Sequence, residues 1–269
     1  MLLPQLREQV LEANLELVKR DLVLYTFGNA SGVDRAGGLV VIKPSGVSYD
    51  DLRPEHMVVT DLDGNIVEGN LRPSSDLDTH TLLYREFPQI GAVVHTHSEY
   101  ATSFAQAGLP IPALGTTHAD YFYGPIPVTA PLSDEAIGGR YVHETGLAIV
   151  NLFRPAPSGS IQTRPVPGDA THAADAGGSL SPDPSRTGAH SFAIDPLAIP
   201  ACLVAGHAPF VWGRTPHEAA HNAVVLEAIA RMAYRTLTLK SEANTVSQAL
   251  LDRHYNRKHG PTATYGQAT

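Results

Sequence analysis

The chain has 269 residues, 43% hydrophobic and 17% charged, and its 19 Lys and Arg against 27 Asp and Glu leave a formal net charge of −8. This is a globular composition with enough chain to bury a core, which excludes a fibrous or disordered protein, and an acidic chain without a Lys/Arg run is not built to grip nucleic acid or an anionic membrane. One cysteine, Cys202, excludes an internal disulfide and points to a reducing compartment; with no membrane-length apolar run and no signal-peptide core, a cytoplasmic protein is expected.

Leu6, Val10, Ala13 and Leu17 recur at helical spacing and predict an opening amphipathic helix over 5–20. The apolar run 39–42 predicts a strand that stops at the turn Lys43-Pro44-Ser45-Gly46. Runs at 57–62 and 65–68 flank Asp63-Gly64, a hairpin signal. A helix is expected over 76–87, with Ser74-Ser75 before it as caps. Further strands are expected at 90–97, 148–153, 199–205 and 210–212, and helices at 99–107, 216–239 and 245–258. Between them, the 40 residues 154–193 hold 6 Pro, 5 Gly and 6 Ser but only four large apolar residues, Ile161, Val166, Leu180 and Phe192. That stretch cannot bury enough to offset its ordering entropy and reads as a mobile surface loop. The whole predicts a single layered α/β domain with a mixed or antiparallel sheet.

His95-Thr96-His97 places two imidazoles on one face of a strand end, where they can share a metal ion. His207, after the apolar strand 201–205, is the candidate third ligand, and Asp76 at a helix start can add an oxygen. Three imidazoles and a carboxylate suit Zn²⁺. Gly28-Asn29, Ser45-Gly46 and Ser74-Ser75 are Gly/Ser turns of the kind whose hydroxyls and free N–H groups bind anions, and Lys43 adds a charge. There is no Gly-x-Ser-x-Gly elbow, and Cys202 reads as a buried, inert thiol.

Six blocks occur in order: Gly28-Asn29-Ala30-Ser31, Lys43-Pro44-Ser45-Gly46-Val47, Pro73-Ser74-Ser75-Asp76, Val94-His95-Thr96-His97-Ser98, Gly115-Thr116-Thr117-His118-Ala119-Asp120-Tyr121 and the tail Tyr265-Gly266-Gln267. Together they resemble the class II aldolase/adducin family over nearly the whole chain except 154–193. The run from Ala119 to Gly124 and the Tyr-Gly-Gln tail resemble its L-ribulose-5-phosphate 4-epimerase branch. The resemblance implies a three-layer α/β/α sandwich with a central, mainly antiparallel sheet. It implies a C4 homotetramer with active sites between subunits, and Zn²⁺ (or Mn²⁺ or Co²⁺) on His95, His97 and His207 with Asp76 at or beside it. It also implies a sugar phosphate held by Gly28, Asn29, Ser45, Gly46, Ser74 and Ser75 with Lys43 nearby. Asp120 and Tyr265 are the implied proton-transfer pair, supplied by the adjacent subunit, and His254 is a further active-site residue. The implied reaction interconverts L-ribulose 5-phosphate and D-xylulose 5-phosphate by retro-aldol cleavage of C3–C4 and re-addition to the other aldehyde face.

The chain departs from that pattern in three places. Ala208 follows His207 where the family usually has Gly, Val142 and His143 stand in a stretch that is more acidic and aromatic in the epimerases, and the 154–193 insertion is long. Two other readings compete: a class II aldolase acting on another ketose phosphate, and a non-catalytic scaffold like the adducin head.

Overall fold

Seven strands form a sheet in the order β4-β3-β2-β1-β5-β7-β6 in the computed structural model, which describes residues 1–155, 193–261 and 263–264. They are β1 (Asn29–Asp34), β2 (Leu39–Ile42), β3 (Val58–Asp61), β4 (Ile66–Glu68), β5 (Ala92–His95), β6 (Ala201–Leu203) and β7 (Pro209–Gly213). Every neighbouring pair is antiparallel.

Alternate residues of the central strands feed opposite cores, as the two-residue period of a strand requires. On one face, Ala30, Val94 and Val211 pack with α1 (Pro4–Lys19), α3 (Glu99–Ala107) and α7 (Pro216–Leu239). On the other, Val93, Phe210 and Trp212 pack with α2 (Leu77–Glu86) and α6 (Tyr141–Phe153). The result is the expected α/β/α sandwich. Shorter helices α4 (Thr116–Ala119) and α5 (Asp134–Gly138) and the last described helix, α8 (Gln248–His259), complete it. Among the described residues no helix is long and apolar enough to cross a membrane. Cys202 is fully buried in β6, as expected, and burial raises its thiol pKa.

Two expectations are corrected and one strand is added. Residues 148–153 are not a strand but the end of α6, whose buried Thr145, Gly146, Ile149, Val150 and Phe153 form a helical stripe facing α2. β1 was not predicted, because Asn-Ala-Ser-Gly-Val-Asp contains few strand formers. Its small residues serve packing: a Cβ on Gly32 would come within 2.8 Å of Leu6 Cδ1 on α1. Finally, the Ser74-Ser75 pair makes no side-chain cap on α2; the N-cap is Asp76, and Ser74 Oγ instead accepts from the Asp76 N–H at 3.3 Å. The loop expected over 154–193 falls almost wholly outside the described residues, as does Tyr265.

Candidate metal and phosphate site

The sheet brings the candidate ligands to one end of three adjacent strands. β5 ends at His95, paired with Asn29 at the start of β1 on one side and with Phe210 of β7 on the other. His97 lies just past β5, and His207 just before β7, beyond a turn in which Gly206 takes φ 70°. Register alone therefore sets Asn29 beside His95 and carries His207 to the same corner. The three imidazoles form a triangle, with ring centroids 4.9 Å apart for His95–His207 and 5.0 Å for His95–His97 and His97–His207. One nitrogen from each lies within 4.8 Å of the others.

The buried ring of His95 is fixed by its surroundings. It stacks on Phe210 at 4.2 Å, and Nδ1 lies 2.9 Å from the Pro209 carbonyl, which can only accept. Nδ1 is therefore the protonated nitrogen, and the Nε2 lone pair faces His97 Nε2, 3.2 Å away. Burial lowers the pKa of His95, His97 and His207, which favours the neutral, ligating form. Burial pushes the Asp76 carboxyl up, but the facing His95 and His80 and the Asn29 amide outweigh it and hold the group below its ordinary value. Asn29 Nδ2 donates to Asp76 Oδ2 at 2.6 Å. Three neutral imidazoles beside an ionised carboxylate fit a divalent transition metal.

A cavity of about 330 Å³ opens beside this corner, lined by Gly28, Asn29, Lys43, Ser45, Gly46, Ser74, Ser75 and Asp76 together with His95 and His97. Every phosphate residue expected from the sequence thus shares one space with Asp76, His95 and His97. Two segments are zipped together to make it: Ser45 N–H donates to Arg72 O at 2.9 Å and Ser74 N–H to Lys43 O at 3.0 Å. Gly28 has φ 72°, and a Cβ there would stand 2.6 Å from Val23 and 2.9 Å from the His95 carbonyl, so the close approach of this turn to the metal corner requires glycine. Lys43 is buried, and its ammonium donates to the carbonyls of Val47 and Pro44 at 3.2 and 3.3 Å and lies 4.7 Å over the Tyr49 ring. Its hydrogens brace the turn. Burial lowers its pKa to about 8. Ala208 is fully buried, and its carbonyl accepts from the Val204 N–H, so the extra methyl is housed within the turn.

Asp120 and His254 meet elsewhere. Asp120 caps the C-terminus of α4 and His254 lies on α8, with His254 Nδ1 3.0 Å from Asp120 Oδ1, and neither lines the cavity. Sequence reading missed two residues of consequence. His80, one turn into α2 behind Asp76, is fully buried, with Nδ1 2.7 Å from Ser31 Oγ. Arg257 grips Asp120 through Nε to Oδ1 at 2.9 Å and Nη2 to Oδ2 at 2.6 Å. The available signal was spacing: Asp76 and His80 stand one helical turn apart, and His254 and Arg257 share a face at i, i+3.

A profile of the Class II Aldolase and Adducin N-terminal domain matches residues 8–155 and 171–234. The chain belongs to the class II aldolase and adducin family. Solved structures of similar fold include an L-fuculose 1-phosphate aldolase (20% identity, 94% of this chain and 95% of that one, TM-score 0.69). The L-fuculose-1-phosphate aldolase of Thermus thermophilus is also similar (20% identity, 90% and 99%, TM-score 0.59). So is YgbL of Escherichia coli, assigned only to the open class aldolase/epimerase/decarboxylase (21% identity, 93% and 97%, TM-score 0.63). Class II aldolases use a divalent metal, and in this family member the imidazole triad is a set that can bind one.

Proposed function

We propose that this class II aldolase-family chain is a divalent-metal-dependent enzyme of phosphorylated ketoses, and specifically a 4-epimerase that interconverts L-ribulose 5-phosphate and D-xylulose 5-phosphate. The observation that carries the reading is the cavity in which the imidazole corner, Asp76 and the Gly/Ser turns meet. An adducin-like scaffold needs no such donor set. His95, His97 and His207 would hold the ion, with Asp76 at or beside it and Zn²⁺ the best match to the donors. When bound, the ion supplies a Lewis acid for negative charge developing on substrate oxygens.

The remaining work falls to side chains and backbone. Gly28, Asn29, Ser45, Gly46, Ser74 and Ser75 would grip the phosphate through N–H and hydroxyl donors, with Lys43 supplying positive potential. Buried Asn29 Oδ1 has no hydrogen-bond partner among the described residues. A base removes the C4 hydroxyl proton, the C3–C4 bond breaks, and the aldehyde fragment turns while its phosphate stays fixed. Re-addition to the other face inverts C4. Two proton posts are required, one on each side, and the Asp120 cluster and Tyr265 are assigned to them. Because Asp120 and His254 do not line the cavity of their own chain, the reading includes a C4 homotetramer in which a neighbour completes each site. It also includes a single family-type domain interrupted by the insertion at about 154–193.

The second reading, a ketose-phosphate aldolase, is favoured by the fuculose-phosphate aldolases among the fold neighbours. The epimerase is preferred because of the Ala119–Gly124 run and the Tyr-Gly-Gln tail. NMR of the Zn²⁺-loaded protein with L-ribulose 5-phosphate in D₂O tests the choice. The expected result is D-xylulose 5-phosphate with no deuterium at C4. Dihydroxyacetone and glycolaldehyde phosphate as main products would assign an aldolase. A protein that holds metal but leaves this pentulose unchanged acts on a different sugar phosphate, and one that neither reacts nor binds metal is a scaffold.

A further inference from the structure

The imidazoles of the metal corner are not held alike. A backbone carbonyl, that of Pro209, fixes His95 through Nδ1. His207 is half-buried in the turn before β7, and among the described residues its ring has one hydrogen-bond partner, the Tyr141 hydroxyl, 3.3 Å from Nδ1. The two ring centroids lie 6.2 Å apart. Tyr141 is the first residue of α6, and that turn is anchored twice. Thr145 Oγ1 donates to the Tyr141 carbonyl at 2.9 Å, and Thr79 Oγ1 of α2 donates to the Val142 carbonyl at 2.6 Å. Both threonines are buried. Helix α2 therefore serves the corner in two ways: its N-cap, Asp76, lines the cavity, and Thr79, three residues on, pins the turn that presents Tyr141.

We infer that Tyr141 is a positioning residue for the metal: its hydroxyl oxygen accepts the Nδ1–H of His207 and so leaves Nε2 as the nitrogen that binds the ion. A neutral imidazole carries one proton, and a phenol oxygen can accept it as a bond. With that proton on Nδ1, the lone pair stands on Nε2, the tautomer that the Pro209 carbonyl imposes on His95. A ligating histidine is held in this way when its second N–H has a fixed partner, which sets both tautomer and ring orientation and raises ligand basicity. The partner of His95 belongs to the sheet itself, whereas that of His207 is a side chain from the helical layer above it. The third ligand thus depends on the packing of α6 against α2. The opposite polarity, with the hydroxyl donating to Nδ1, would put the ring proton on Nε2 and set Tyr141 in competition with the metal. Removing the hydroxyl would then tighten metal binding, so the two polarities predict opposite signs. The role of Tyr141 rests on the metal half of the reading above and is independent of the choice between epimerase and aldolase.

Zn²⁺ affinity of the full chain, measured without substrate by competition with a chromophoric chelator, tests this. Tyr141→Phe keeps the ring and loses the oxygen, and should bind Zn²⁺ about 10–100-fold more weakly. Its urea midpoint in EDTA should match wild type; a midpoint that falls along with affinity would make the hydroxyl a structural contact and overturn the positioning role. ¹⁵N NMR of histidine-labelled, Zn²⁺-loaded wild type should show His207 protonated at Nδ1 and bound to the ion at Nε2, assigned by the signals that His207→Ala lacks. Unchanged or tighter Zn²⁺ binding by Tyr141→Phe, or a His207 ring bound through Nδ1, would overturn the role of Tyr141 and leave the metal site standing. A wild-type chain that binds no Zn²⁺ would overturn the metal reading and the role of Tyr141 with it.

Discussion

At the scale of single residues, burial chooses protonation states. His118 is a clear case away from the metal corner. It is 3% exposed, its Nε2 donates to the Gly124 carbonyl at 2.6 Å, and burial lowers its pKa to about 4. Its unfolded value is near 6.5, so between these limits the unfolded chain binds the extra proton. Stability is then fully present above about pH 6.5 and is lost as pH falls toward 4, with about 2 kcal/mol gone by pH 5. His80, also pushed to about 4 by burial, adds to the same slope. Urea midpoints in the presence of chelator should fall from pH 7 to pH 5. His118→Gln keeps a donor for Gly124 O but cannot titrate, so its slope should be shallower. Equal slopes in the two proteins would show that His118 does not stay neutral in the fold. The same scale shows what was legible. His95, His97 and His207 could be picked out because metal chemistry restricts the residue types. His80 and Arg257 offered only the weak signal of helical spacing, to Asp76 and to His254, because residues that support a site side chain carry no motif of their own.

At the scale of elements, hydrophobic period gave most of the sheet and helices, and failed where tertiary contact overrides local preference. β1 has the composition of a turn yet is central in the sheet, held between β2 and β5. Its Ala30 exchanges both backbone groups with the Asn14 side chain of α1, N–H to Oδ1 at 2.9 Å and C=O from Nδ2 at 3.2 Å, a long-range pairing no local window contains. Residues 148–153 read as a strand because six mostly apolar residues fit either period; only the α2 contact decides for helix. Close backbone packing shows the same dependence on tertiary contact. Gly91, just before β5, has no room for a side chain: a Cβ would lie 2.0 Å from the Arg214 carbonyl oxygen beyond β7. Gly91→Ala must separate these two strand ends and should cost about 1–3 kcal/mol, read as a lower urea midpoint. Gly115→Ala is the matched control. Gly115 has φ −155° and nothing within 4 Å of its Cβ position, so a change within about 0.5 kcal/mol is expected. Similar losses at both sites would refute the packing argument at β5.

At the scale of the molecule, the proposed reading divides each chain into two half-sites: the cavity with His95 and His97 would carry the metal and phosphate functions, and the α4–α8 junction, with Asp120, His254 and Arg257, the proton function. The segment beside the cavity is also poorly suited to water: Leu24, Tyr25 and Phe27 are 68%, 88% and 55% exposed, and Tyr25 sits at φ 53°, a left-handed conformation that costs energy for a bulky residue. A neighbouring copy seated there would cover this apolar rim and could bring its own Asp120 cluster to the cavity. If so, two different inactive chains should repair each other. His97→Asn removes the metal half and Asp120→Asn the proton half, and each variant alone should be nearly inactive. Mixed subunits, unfolded and refolded together at equal amounts, assemble at random. A site is then intact only where an Asp120→Asn chain supplies the cavity and a His97→Asn chain supplies the α4–α8 junction, which gives about a quarter of wild-type activity. Refolded separately and then combined, the same proteins should stay inactive until subunits exchange. If co-refolded mixtures form oligomers yet show no more activity than the separate variants, both halves must act within one chain, and the shared-site reading would be wrong.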